Sequence, residues 1–169
     1  LLIGAIPGIV IAFVLALVNL ARRASTPAID ILAADDGAGS SLLDPAPVGT
    51  PTAPGVLVIR MAAPLFFANG SVLTEAVKRA VSSIPGVHHV VIDLEAVTDV
   101  DVTGAEAFGA LTDWLSRRKV ELAYSRPRRQ IIDRMSALGM TRGATFYSTN
   151  REALAALADP SPGPEQEKS

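Results

Sequence analysis

The sequence DLEAVTDVDVTGAEAFG, residues 93–109, joins the end of an apolar run to an acidic turn and then to a helical pattern. The run that leads into it, HVVIDL at 89–94, has the nearly continuous apolar character of a strand buried on both faces. The spacing Thr103-x-x-Glu106 fits a capping box, which predicts a helix that begins at Thr103. We therefore predict an exposed turn at the carboxyl end of a strand, where open α/β sheets usually hold their binding sites.

The chain around this turn alternates between strand and helix patterns. Helices are predicted to begin near residues 71, 103, 126 and 150, and strands are predicted at 56–60, 65–68, 89–94, 120–124 and 145–147. Such alternation favours parallel strands joined by right-handed crossovers. We predict an α/β domain over 55–158, with a small mixed, largely parallel sheet flanked by helices.

The first 21 residues, LLIGAIPGIVIAFVLALVNLA, contain no charged residue, and Arg22 and Arg23 follow directly. A helix of this length spans roughly 30 Å, which matches the hydrocarbon core of a bilayer. The two arginines indicate that the downstream end faces the cytoplasm. We predict one transmembrane helix over 1–23, at the end of a larger membrane domain in a longer protein.

Two further segments have little capacity to form a core of their own. Residues 24–54 are rich in Pro, Gly, Ser and Ala and are interpreted as a linker. Its short apolar stretches, 29–32 and 42–43, are expected to dock on a neighbouring surface. Residues 159–169 are predicted to form a disordered tail.

Composition and motifs exclude several functions. Cysteine is absent, so neither a disulfide nor a thiolate metal site can form, and the net charge of −2 gives no reason to expect nucleic acid binding. Asp99 and Asp101 are paired carboxylates, yet no further ligand sits at metal-binding spacing, and a solvated turn is the favoured interpretation. No nucleophile–base pair is apparent. We therefore expect neither an enzyme nor a bound metal or cofactor.

Arg126, Arg128 and Arg129 begin a basic cluster that continues with Arg134 and Arg142. A solvated helix face with local carboxylate partners is one interpretation. The alternatives are contacts with anionic lipid headgroups or with nucleotide phosphates. The chain lacks a glycine-rich phosphate-binding loop, which argues against the nucleotide.

The stretches GVLVIRMAAPLFFANG (55–70) and DLEAVTDVDVTGAEAF (93–108) resemble the STAS domain of SulP-family anion transporters. The LFFAN run at 65–69 distinguishes that branch from soluble STAS proteins. The resemblance implies the C-terminal cytoplasmic regulatory or assembly domain of a secondary active transporter for sulfate or a related inorganic anion. It also implies a multi-pass protein of the cell membrane, an upstream transmembrane domain as partner, and a homodimer. No residue of this chain is assigned to the transported anion.

The resemblance implies a second candidate function through Thr103. In the soluble relatives, a serine in an Asp-Ser-Ser-Gly turn is phosphorylated to control partner binding, and that turn aligns with 101–104. Thr103 is thereby the candidate phosphoacceptor, with Asp99, Asp101, Gly104 and Glu106 forming the turn and the helix cap. The alternative function is a membrane-tethered STAS phospho-switch or a nucleotide-sensing binding module.

Overall fold

The computed structural model describes residues 5–25, 28–34, 45–47, 49–61 and 70–158, which contain five helices and five strands. In chain order these are α1 (Ala5–Ser25), β1 (Ile29–Ile31), β2 (Val56–Met61), α2 (Gly70–Ser83), β3 (His89–Asp93), α3 (Val102–Ser116), β4 (Glu121–Ser125), α4 (Arg129–Ala137), β5 (Thr145–Tyr147) and α5 (Asn150–Leu157). The strand predicted at 65–68, the apolar pair at 42–43 and the tail at 159–169 lie outside the described residues.

The five strands form one sheet in the order β1-β2-β3-β4-β5. The strands β2 to β5 pair in parallel, and β1 adds to the edge in the antiparallel direction. The predicted mixed, largely parallel sheet flanked by helices is therefore confirmed. The edge strand β1 comes from the apolar stretch 29–32, which does dock on a neighbouring surface, namely β2.

The two faces of the sheet bury side chains in two separate cores because successive strand residues point to opposite sides. Leu57 and Ile59 of β2 lie in the larger core with apolar residues of α2, α3 and α4. Val56 and Val58 lie in the smaller core, which Ala153 of α5 covers. The short helix α5 is thus the main cover of one face of the sheet.

The helix α4 begins later than the sequence pattern indicates. The predicted start was Arg126, whereas the structure starts α4 at Arg129 with Arg128 as N-cap. Arg126 instead has left-handed backbone dihedrals, with φ at 55°, and its N–H donates to the Tyr147 carbonyl. At the other end, Gly139 has φ at 75°, the conformation that commonly ends a helix.

The helix α1 exposes its large apolar side chains. Ile9 and Leu20, near its two ends, are 68% and 65% exposed. Across the part of the chain that the structure describes, no helix combines the length and hydropathy of a membrane span.

Candidate functional site

The carboxyl ends of three parallel strands bring three polar residues into one row. Arg60 of β2 is the register partner of Asp93 in β3, and Asp93 is the register partner of Ser125 in β4. Alternation along each strand places the three side chains on the face covered by α5. The row lies at the sheet edge where α/β folds usually bind ligands.

Asp93 is the centre of this row and is fully buried. Its Oδ2 atom accepts from Arg60 Nε at 3.0 Å, from Arg60 Nη2 at 2.9 Å and from Asn150 Nδ2 at 3.0 Å. Its Oδ1 atom accepts from the Glu95 N–H at 3.0 Å. A buried carboxylate needs this neutralisation because an unpaired buried charge is very costly.

A second layer closes the network toward solvent. Arg126 lies 3.5 Å from Asp93 Oδ2 through Nη1, and its Nη2 donates to Glu95. Glu95 is also 4.0 Å from Arg60. On the inner side, Ser125 donates its hydroxyl proton to Asn150 Oδ1. The network therefore fastens the first residue of α5 to the ends of three strands.

The turn from β3 to α3 has a different cap from the predicted one. The N-cap is Asp101, whose Oδ1 accepts from the Gly104 N–H at 2.7 Å, and α3 begins at Val102. The prediction that Thr103 caps the helix is wrong, because Thr103 already has a place inside the first turn. The Thr103 side chain is exposed there, together with Glu106, whereas Gly104 is buried.

The same turn is held from α4 by Arg134. Its Nε donates to the Val100 carbonyl at 2.9 Å and lies 3.8 Å from Asp99 Oδ1. Asp99 Oδ1 also accepts from the Val100 N–H at 2.8 Å. Among the described residues, no group of three His, Asp or Glu could hold a metal ion.

The structure divides the basic cluster predicted from the sequence. Arg126 pairs with Asp93 and Glu95, and its side chain is 29% exposed. Arg134 holds the turn before α3. Arg128 and Arg129 are exposed, and neither pairs with a carboxylate of the described residues.

Several members of the network escaped the sequence reasoning, namely Arg60, Glu95, Ser125 and Asn150. The available signal was positional: each of β2, β3 and β4 has a charged or polar residue at or next to its carboxyl end, directly after apolar residues. No such signal marked Asn150, because it contacts Asp93 although the two residues are 57 positions apart in sequence.

The comparisons with known proteins agree with this architecture. Residues 48–153 match the model of the STAS domain. High affinity sulfate transporter 2 of Stylosanthes hamata is 29% identical over 50% of the chain and 14% of its own length. A protein of Mycobacterium tuberculosis H37Rv named "probable sulfate transporter" is 29% identical over 82% of the chain and 25% of its own length. The chain thus spans a quarter or less of the length of these relatives.

Solved structures of other proteins share the fold. The murine solute carrier 26 family member A9 anion transporter superposes with a TM-score of 0.73 at 15% identity, covering 89% of this chain and 25% of that one. An anti-sigma factor antagonist from Mycobacterium paratuberculosis superposes with a TM-score of 0.54 at 19% identity, covering 78% of this chain and 96% of that one. The chain belongs to the STAS domain family and is homologous to the STAS domains of SulP-type sulfate transporters.

Proposed function

We propose that this chain is the C-terminal regulatory or assembly part of a secondary active transporter for sulfate or a related inorganic anion. In this proposal the apolar run at 1–23, which includes four residues outside the described part of the chain, is the last membrane-spanning segment, and the STAS domain lies on the cytoplasmic side of a multi-pass protein. The upstream transmembrane domain of the same protein contains the anion site. The STAS domain regulates that site through the segment that joins it to α1.

The extent of the mycobacterial match carries this proposal. The alignment covers 82% of the chain, so less than a fifth of the chain is left unaligned. Residues 1–47, which precede the STAS match, make up more than a quarter of the 169 residues, so part of them must be aligned. The likeness to a sulfate transporter therefore reaches into the segment that precedes the STAS domain. The exposed apolar surface of α1 fits the same proposal, since such a surface is stable when lipid or other membrane helices cover it.

Uptake of radiolabelled sulfate by the intact transporter in proteoliposomes tests the proposal. We expect saturable uptake that unlabelled sulfate inhibits more strongly than chloride does. Deleting residues 28–169 should change the rate or abolish uptake, while an intact protein with Ala156→Ser, an exposed position of α5, should match the wild type. The absence of uptake by intact protein that is folded and correctly inserted would contradict transport.

A second candidate function, the membrane-tethered phospho-switch, is favoured by the position of Thr103. Its side chain is exposed in the first turn of α3, where the helix dipole stabilises a phosphate group. Phosphoproteomics of native membranes tests this function. A phosphate on Thr103 would support the switch, and its repeated absence despite full coverage of the peptide would count against it.

The proposal includes a homodimer and a contact between the STAS domain and the membrane. Arg128 and Arg129 are the arginines suited to anionic headgroups, because both are exposed at the N-terminal end of α4. A nucleotide at the same residues is the less supported ligand, since the sequence has no phosphate-binding loop. Flotation with phosphatidylserine vesicles, repeated for Arg128→Gln with Arg129→Gln, tests the lipid contact.

A further inference from the structure

A cleft of about 530 Å³ opens over β4, between the C-terminal half of α3 and the connection from α4 to β5. Thr112 and Ser116 line it from α3, and Met140 and Arg142 line it from the connection. It lies toward the amino end of the sheet, since it includes Glu121 at the start of β4. The cleft is thus distinct from the network around Asp93 and from the turn that contains Thr103.

The floor of the cleft is apolar and well packed. It is formed by Leu122, Tyr124 and Met140, and Tyr124 is only 3% exposed. The Tyr124 ring stacks against Phe146, with 5.2 Å between the ring centroids, and against Phe108 at 6.4 Å. An apolar or aromatic group entering the cleft would therefore rest on a floor that is already ordered.

Tyr124 lines the cleft and is almost completely buried, and its hydroxyl forms no hydrogen bond with another described residue. Burial raises the pKa of Tyr124 above its ordinary value of 10.0, so the hydroxyl keeps its proton and can donate it. An acceptor such as a carboxylate or phosphate oxygen would satisfy this donor.

Two cations, Lys119 and Arg142, line the cleft without a carboxylate partner among the described residues. They are not needed as caps of the two helix ends, because backbone N–H groups already satisfy those carbonyls. The Val120 N–H donates to the Leu115 carbonyl at the end of α3, and the Met140 N–H donates to Met135 at the end of α4. Glu121 also lines the cleft, and its exposed carboxylate lies 3.6 Å from His89 on the adjacent strand. The lining therefore holds two cations and one carboxylate, which leaves its polar side with a net positive charge.

We propose that this cleft binds a small organic anion. Its apolar body would lie on Leu122, Tyr124 and Met140, and its carboxylate or phosphate would lie between Lys119 and Arg142. The volume is in the range of small-molecule sites, which is about 300–1,000 Å³. This ligand site does not depend on the transport proposed above, because it rests on the STAS domain alone.

A titration of the whole 169-residue chain in detergent micelles, followed by amide NMR shifts, tests the site. The probes are phenyl phosphate and benzoate, which separate the two anionic groups. Inorganic phosphate serves as the control without an apolar body, and benzyl alcohol as the control without charge. We expect saturable shifts at 119–124 and 140–145 with phenyl phosphate, benzoate or both, and at least tenfold weaker binding of each control probe.

Variants separate specific binding from adventitious contact. Lys119→Gln together with Arg142→Gln should weaken binding of the aromatic anion at least tenfold. Tyr124→Phe should weaken it about threefold while retaining the ring in the core. The matched control is Arg117→Gln, which removes an exposed cation at the same helix end outside the cleft and should leave the affinity unchanged. Flat titrations at millimolar probe, or equal affinity for benzyl alcohol or for the double variant, would overturn the proposal.

Discussion

At the scale of single residues, Asp93 decides the electrostatics of the sheet edge. Its carboxylate has no access to water, and its oxygens accept from Arg60, Asn150 and the Glu95 backbone. Such a group is stable because each charge in the network has a counter-charge within hydrogen-bonding distance. A substitution by Asn keeps the shape of the Asp93 side chain but removes its charge. Arg60 and Arg126 then have one carboxylate of the network, that of Glu95, as their partner.

We therefore predict that Asp93→Asn lowers the free energy of unfolding by about 3 kcal/mol, the cost of breaking a buried ion pair. Urea denaturation followed by circular dichroism measures this loss. Asp99→Asn is the matched control, because the Asp99 side chain is 72% exposed, and it should cost less than about 0.5 kcal/mol. Equal effects of the two substitutions would refute the central role of Asp93.

The cap of α3 gives a second prediction at this scale. Asp101→Ala removes the acceptor of the Gly104 N–H and should cost about 1 kcal/mol of stability. Thr103→Ala should change stability by less than about 0.5 kcal/mol, because its side chain is exposed within the helix. Thermal or urea unfolding of both variants checks the pair. A larger loss for Thr103→Ala than for Asp101→Ala would restore the cap predicted from the sequence.

Tyr124 gives a prediction for alkaline pH. Burial raises the pKa of Tyr124 in the folded protein above the unfolded value of 10.0, so above pH 10 the unfolded chain releases the proton more readily. Above pH 10, the free energy of unfolding should therefore fall by about 1.4 kcal/mol more per pH unit in the wild type than in Tyr124→Phe. Urea unfolding at several pH values from 9 to 11.5 measures both slopes. Parallel slopes would show that Tyr124 does not titrate differently in the folded state.

The residue scale also shows the limit of motif reasoning. The spacing Thr-x-x-Glu occurs at 103–106 and again at 149–152, yet it caps a helix at the second position alone. There Thr149 accepts from the Glu152 N–H, and the Glu152 carboxylate accepts from the Ser148 N–H. At the first position Asp101 lies two residues earlier and is itself a strong N-cap residue. Local sequence permitted both caps, and the extended backbone at Asp101, with φ at −99° and ψ at 173°, makes Asp101 the N-cap.

At the scale of elements, the alternating apolar pattern predicted the helices and the parallel strands, because each has its own core face. It did not predict the pairing of β1, which has three residues in a segment rich in Pro and Gly. Neither could it place Arg60 beside Asp93, since that contact depends on the register of β2 with β3. The candidate site was therefore predictable as a location at a strand end but not as a set of interacting residues.

The attachment of α5 is the prediction that belongs to this scale. Asn150→Ala removes both buried hydrogen bonds that join α5 to Asp93 and Ser125. We expect amide exchange at 153–157 to accelerate at least tenfold, while β3 and β4 remain protected, because a short helix has little stability of its own. Hydrogen exchange with mass spectrometry measures this. Ala156→Ser, at an exposed position of the same helix, is the control, and unchanged exchange in Asn150→Ala would show that packing of Ala153 suffices.

At the scale of the whole molecule, the chain combines a domain with two buried cores and a helix with an apolar surface. Among the described residues, neither core includes a side chain of α1. The exposed side chains of α1, by contrast, have large apolar area that water solvates poorly. The proposal that α1 spans a membrane accounts for this difference between the two parts.

Extraction with alkaline carbonate tests that proposal on the 169-residue chain expressed in membranes. We expect the wild-type chain to remain in the pellet, because an inserted helix is not released by high pH. Val14→Asp with Leu17→Asp should release it, since each aspartate near the centre of a membrane helix costs about 3 kcal/mol. Val14→Ala with Leu17→Ala is the matched control and should stay in the pellet. A wild-type chain in the supernatant would mean that α1 is covered by protein rather than by lipid.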